Sequence, residues 1–234
     1  MPSAEAAVIT YRFHLSRGVE EIALRFDAET FQLRRDGSET PKDWARLEFN
    51  QCPHCPLTSE QSPLCPFADA LSGFIEGFDE FWSYETADIE VVTTNRTVIG
   101  HKPLQHGMAS LIGLIGATSG CPHLAFFRPM ARFHLPFARD DETLYRVFSM
   151  HLLEAYLKGE LLTDTTLQGL ADRNQAATIV NRAVVQRIRS AFHKDVVLNA
   201  LIVLDSFAQS VPFVIKERLD ELRQMFGLPV APDT

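Results

Sequence analysis

The chain is short of positive charge. Lys and Arg total 22 against 30 Asp and Glu, giving a net charge of -8 over 234 residues. A general nucleic-acid binder needs a basic face, so no nucleic-acid partner is expected. Lysine is the scarcer cation, with 5 Lys beside 17 Arg. Arginine suits fixed, two-pronged contacts to carboxylate or phosphate. The opening MPSAEAAVITYRF lacks the basic stretch and apolar core of a secretory leader. Long apolar runs are missing as well. VVLNALIVLDSFA (196–208) is too short to cross a bilayer and contains Asn199 and Asp205. A cytoplasmic protein with no membrane partner is expected, and thiols stay reduced in that compartment. No P-loop, HExxH or Ser–His–Asp pattern is present to indicate an enzyme class. GLIGATSG is spaced G-x₂-G-x₃-G inside an apolar helical pattern, which is not a dinucleotide loop.

What the chain does have is an ordinary globular composition, 46% hydrophobic and 22% charged. Its 17 Phe supply much of the apolar area that a core needs. AVITYRFHL and EEIALRFD alternate apolar and polar side chains and read as strands, and ETFQLRR continues the pattern. DGSETPKD (36–43) reads as a loop. WARLEF (44–49) reads as a further strand, and 88–100 as one or two more around an Asn–Arg turn. Residues 66–82 have helical spacing, with Phe67, Phe74, Phe78 and Phe81 on one face. From Pro103 onward helices are expected over 104–118, 122–133, about 140–159, 165–192, 195–209 and 212–226. The fold class is α+β: a small N-terminal antiparallel sheet packed on a mainly helical C-terminal bundle. One composite domain, 1–234, is expected, with a strand-rich part (1–103) carrying a cysteine loop and a helical part (104–234).

Cysteine is rare, and its placement is unusual. There are four, and each precedes a proline: Cys52–Pro53, Cys55–Pro56, Cys65–Pro66 and Cys121–Pro122. Proline favours the first position of a helix and pushes the residue before it out of helical conformation. Cys65 and Cys121 are therefore expected at helix N-caps, where the dipole favours a thiolate. For Cys52 and Cys55 the prolines instead stiffen a loop. The spacing C-x₂-C-x₉-C, with Cys121 added by the fold, predicts a four-thiolate metal site. An iron–sulfur cluster is preferred over zinc, because Cys–Pro endings recur among cluster ligands and no zinc-ribbon glycine follows Cys55. His54 and His123 sit beside the cysteines, and His106 lies nearby in the chain. They are candidates for the second shell or for alternative ligands. A redox reading also exists, since CPHC is identical to the active-site tetrapeptide of DsbA-type thiol oxidases. Pro56, Pro63 and Pro66 break the long helix such a fold needs after the motif. Four cysteines packed merely as small hydrophobes are the remaining reading.

GATSGCPHLAFFRPMARFHLPFA (116–138) carries a second constellation. On a helix Arg128 and Arg132 are i, i+4 neighbours, and His134 follows. The three are candidates to bind a small anionic ligand beside the thiols. CPHCPL and ATSGCPH…RPMARFHLPFA together resemble a family of bacterial proteins of unknown function over most of the chain. The resemblance implies a bacterial cytosolic origin and no activity. The expected function is a metal-site protein with a redox, sensing or anion-binding role. The alternatives are an enzyme with Cys121 as thiolate nucleophile and His123 or His106 as base, or a scaffold whose metal is purely structural.

Overall fold

A computed structural model describes residues 7–35, 40–160, 167–191, 193, 195–217 and 223–229, with the side chains of 215–217 excepted. Strand alternation builds the sheet as the sequence predicts. In β1 (Ala7–Leu15) the side chains of Ile9, Tyr11 and Phe13 are buried, and in β2 (Gly18–Phe26) those of Ile22, Leu24 and Phe26. A short β3 (Leu33–Arg34) follows, then β4 (Thr86–Val92) and β5 (Thr97–Pro103). All pair antiparallel in the order β3-β2-β1-β4-β5. A period-2 pattern places alternate side chains of a strand on one face, and where these are apolar that face needs a cover.

The cover is helical. Helix α1 spans Pro66–Ser72 and α2 spans Leu104–Thr118. The short α3 is Arg128–Arg132, and the long α4, α5 and α6 are Asp140–Leu157, Gln168–Ala191 and Val196–Glu217. Helix α2 is buried on most sides and lies tight against the sheet. A Cβ on Gly107 would stand 2.3 Å from Ile89 Cδ1 and 2.9 Å from Phe13 Cε1, so only glycine permits that approach. One buried cluster runs from Ile9 on the sheet to Ala208 on α6, and a smaller one joins Leu144, Val147 and Phe148 of α4 to Val211 and Val214 of α6. The architecture is α+β, an N-terminal five-stranded antiparallel sheet followed by a mostly helical region.

Several expectations are corrected in detail. Residues 44–49 form no strand: Asp43–Ala45 is a 3₁₀ turn, and only Arg46 makes a bridge, to Leu64. The helix after Cys65 ends at Ser72, and 76–78 is a separate 3₁₀ turn. Gly73 and Gly77 interrupt the phenylalanine spacing that looked continuous. Residues 122–133 hold turns, a 3₁₀ segment at Ala125–Phe127 and the one-turn α3. Pro212 does not start a helix but lies inside α6. The flanking turns bury Ala208, Val211 and Val214, and that packing outweighs the missing N–H. Within α6 the segment Val196–Val214 (19 residues) is long and apolar enough to cross a membrane, a test that a core helix also passes. Residues 36–39 of the expected loop, 165, 166 and 192 of the expected fourth helix of the bundle, and 218–222 of the last one lie outside the described residues.

Candidate metal centre

The cysteine loops are built by proline chemistry. In Cys52–Pro53–His54–Cys55 the Cys55 N–H donates to the Cys52 carbonyl at 3.0 Å, closing a turn with proline at its second place. The Gln51 amide donates to the Leu57 carbonyl at 2.9 Å and ties the loop across its base. Cys65 is held by its N–H on the Ala45 carbonyl at 2.8 Å. It is the N-cap of α1, with Pro66 in the first turn and the Asp69 N–H on its carbonyl at 2.9 Å. The cap expectation for Cys121 is met by a turn rather than an α-helix. The N–H groups of Leu124 and Ala125 donate to its carbonyl at 3.1 and 3.0 Å. Gly120 enters that turn at φ +92°, a conformation open to glycine. A Cβ there would stand 3.9 Å from Pro66 Cβ, so the Cys65 and Cys121 loops lie side by side although more than fifty residues apart in the chain.

All four cysteines are free thiols, Cys65 and Cys121 buried and Cys52 and Cys55 half-buried. They stand within reach of one another's charge. Burial pushes the Cys52 thiol up to about 12, and Cys65, Cys121 and Cys55 add to the rise. Burial pushes Cys121 up to about 11. The backbone N–H groups of His123 and Leu124 oppose that rise, and Cys65 and Cys55 reinforce it. The thiols are therefore electrostatic neighbours. No group of three or more His, Cys, Asp or Glu side chains that could hold a metal ion is found among the described residues.

A residue missed in the sequence stands in their midst. Arg187 on α5 is 1% exposed. Its Nη1 donates to the carbonyls of Trp44 and Arg46 at 2.8 and 2.6 Å, and its Nη2 to that of Leu47 at 2.8 Å. Its Nε is buried with no hydrogen-bond partner. The carbonyls neutralise no charge, and no carboxylate lies within ion-pair distance of Arg187 among the described residues. Burial lowers its pKa, and Cys65, Cys52 and Cys55 oppose the fall, which puts Arg187 within electrostatic reach of these three cysteines. The sequence did hold a signal. Val180, Val184, Arg187 and Ile188 share the apolar stripe of α5, where a charge is out of place.

His54 and His123 lie together at the edge of the site, rings stacked 3.8 Å apart and 11° from parallel. His123 Nε2 is 2.9 Å from the His54 carbonyl, and His54 Nε2 is 3.2 Å from the Ala176 carbonyl on α5. A carbonyl only accepts, so both Nε2 atoms carry the proton. Burial, then His123, lowers the His54 pKa and keeps the ring neutral. His54 Nδ1 is thereby a buried lone pair with no hydrogen-bond partner. His106 is elsewhere, on the first turn of α2 at the rim of a large cavity.

The anion-binding trio is spread out. Arg132 is exposed, lies over the Phe31 ring and donates to the Ala28 carbonyl at 3.3 Å. Arg128 is half-buried, and its Nε has no hydrogen-bond partner. His134 is 2.6 Å from the Tyr11 hydroxyl and lines the same cavity as His106. Burial, then Arg146, pulls its pKa down to about 3, so it offers an anion no positive charge. No curated protein and no solved structure shows significant similarity to the chain. The family described as Domain of unknown function (DUF6901) matches residues 9–227, nearly the whole chain including every cysteine, and the protein belongs to that family.

Proposed function

We propose that Cys52, Cys55, Cys65 and Cys121 ligate an iron–sulfur cluster and that the protein transfers an electron or senses redox state through it. The observation that carries this reading is Arg187. A fully buried guanidinium with no carboxylate needs compensating negative charge. Protonated thiols supply none, whereas four thiolates on a metal centre supply a net negative charge beside it. Metal binding would displace the protons that burial now holds on Cys52 and Cys121. The Cys–Pro pairs favour a cluster over zinc, and the two kinds of centre differ in the sulfur spacing they impose. A tetrahedral zinc draws its sulfurs to within about 4 Å of one another, since each Zn–S bond is about 2.3 Å. Around a cubane each thiolate binds its own iron, and the sulfurs stand further apart.

His54 supports the same reading. Its bare Nδ1 faces no protein partner, and a neutral imidazole nitrogen is a metal ligand or can take up a proton beside one. The thiolate-enzyme alternative draws less support. Cys121 is 8% exposed and its pKa is raised, which is the opposite of an activated nucleophile.

The test is anaerobic purification followed by elemental analysis and an absorption spectrum. Iron with inorganic sulfide and a broad band near ~400 nm are expected. One zinc and no colour would move the centre to the structural-metal class. No metal after anaerobic purification and reconstitution would overturn the proposal.

A further inference from the structure

A second site lies apart from the thiols. A cavity of about 770 Å³ opens between α2, α4, α5, α6 and the loop after α3. Its size falls within the roughly 300–1,000 Å³ typical of small-molecule sites. The wall is mostly apolar, with Ile112, Leu204, Phe207, Phe127 and Val147 among its residues. Polar groups are few and placed deep. Asn174 on α5 is 1% exposed and lines the cavity. Its Nδ2 donates to the Leu170 carbonyl at 2.9 Å, which fixes the orientation of the amide. Its Oδ1 is buried and has no hydrogen-bond partner. An acceptor enclosed in that way is costly unless something donates to it.

Arg146 on α4 is the other polar feature. Its Nη2 donates to the Met130 and Phe133 carbonyls at 2.9 and 2.8 Å, which fixes the guanidinium at the cavity wall. Those contacts leave its charge without an ion pair among the described residues. Glu142, one turn earlier, is engaged with the Arg139 N–H. The other charged groups on the wall, Lys102, His106 and Asp140, are exposed at the rim. His134 contributes a neutral ring held by Tyr11.

We propose that this cavity binds an amphipathic carboxylate: an apolar chain or ring body among the α2 and α6 side chains, with its carboxylate on Arg146. An apolar body matches the wall, and a planar anion matches a fixed guanidinium.

The probes are decanoate, 1-decanol and decylamine, titrated calorimetrically into the purified full-length protein with a thermal-shift readout alongside. The acid is expected to bind about tenfold or more tighter than the alcohol, and the amine not at all. Arg146→Gln should level the acid with the alcohol. Equal binding of acid, alcohol and amine, no binding of any probe, or an acid preference that survives Arg146→Gln would overturn the assignment.

Discussion

Replacing Arg187 with methionine separates two roles that the guanidinium plays. Methionine keeps an unbranched chain on the α5 stripe and removes the charge. Three hydrogen bonds are lost, to the carbonyls of Trp44, Arg46 and Leu47. Each such loss costs about 1–3 kcal/mol where the acceptor is left buried and dry. Against that, a charge no longer has to be buried, which returns part of the loss in the metal-free protein. A cluster-loaded protein would gain no such relief, because there the charge would face thiolates. Two unit charges about 6 Å apart interact by about 3 kcal/mol at an effective dielectric of ~20. Arg187→Met should therefore destabilise the loaded form by roughly 3 kcal/mol more than the metal-free form. For a redox cluster that energy corresponds to a potential lowered by on the order of 100 mV. The assays are denaturant unfolding of both forms and a potentiometric titration of the loaded one. Arg187→Lys is the control, since it keeps the charge and loses the fork. Its potential should stay near that of the parent protein even if its stability falls. Equal losses in the two forms together with an unchanged potential would refute the counter-charge argument and reduce Arg187 to a clamp on the 44–47 turn.

Other perturbations follow from single contacts. In metal-free protein, iodoacetamide should label Cys52 and Cys121 slowly at pH 8 and about tenfold faster per pH unit up to their pKa values near 12 and 11, as mass spectrometry would read; rapid labelling at pH 7 would contradict their raised pKa values. Gly107→Ala should lower stability by about 1–3 kcal/mol despite alanine's better helix propensity, because the new methyl meets Ile89 and Phe13; a melting temperature equal to or above the parent's would show that α2 can lift off the sheet. Gly120→Ala combines φ +92° with a Cβ 3.1 Å from Gln32 Nε2, so it should lower both stability and metal content, and full metal occupancy would argue against a fixed Cys121 turn. His134 stays neutral in the folded state, its pKa lowered to about 3, so the unfolded chain takes up the proton first. Stability should fall as pH drops from about 6.5 toward 3, and His134→Gln should flatten that slope by up to a few kcal/mol in urea titrations; an unchanged slope would show that His134 titrates normally.

The parts legible in the sequence were those governed by short-range periodicity. Alternation in 7–15 and 18–26 gave the strands and their buried faces, and an unbroken apolar 3.6 pattern gave α2 with its bounds. Misreadings fell where tertiary packing overrides a local signal. Pro212 normally ends a helix, yet α6 runs through it because both flanking turns are buried. The phenylalanines at 67, 74, 78 and 81 looked like one helical face. They are placed by a short helix, a 3₁₀ turn and a loop that bury Phe67, Phe78 and Phe81 in the same core. Arg128 and Arg132 do share α3, while Arg132 lies over Phe31 and His134, just beyond the helix, is held by Tyr11.

The cysteine pattern and Arg187 together explain what no local rule supplies. A proline after each cysteine fixes how the chain leaves that residue, through a turn at 52–55 and helix or turn caps at 65 and 121. The loop is also tied to α5, a helix from the other part of the chain. Its Ala176 carbonyl accepts from His54, and eleven residues on, about three turns along the same helix, Arg187 grips the carbonyls at 44, 46 and 47 just before Cys52. Both ends of the cysteine loop are thereby registered against one rigid rod. A charge buried only to brace a turn could be replaced by a neutral donor with less desolvation. If the four thiols bind metal as proposed, the negative charge they acquire would account for a guanidinium in that place, and one side chain would serve as both brace and counter-charge.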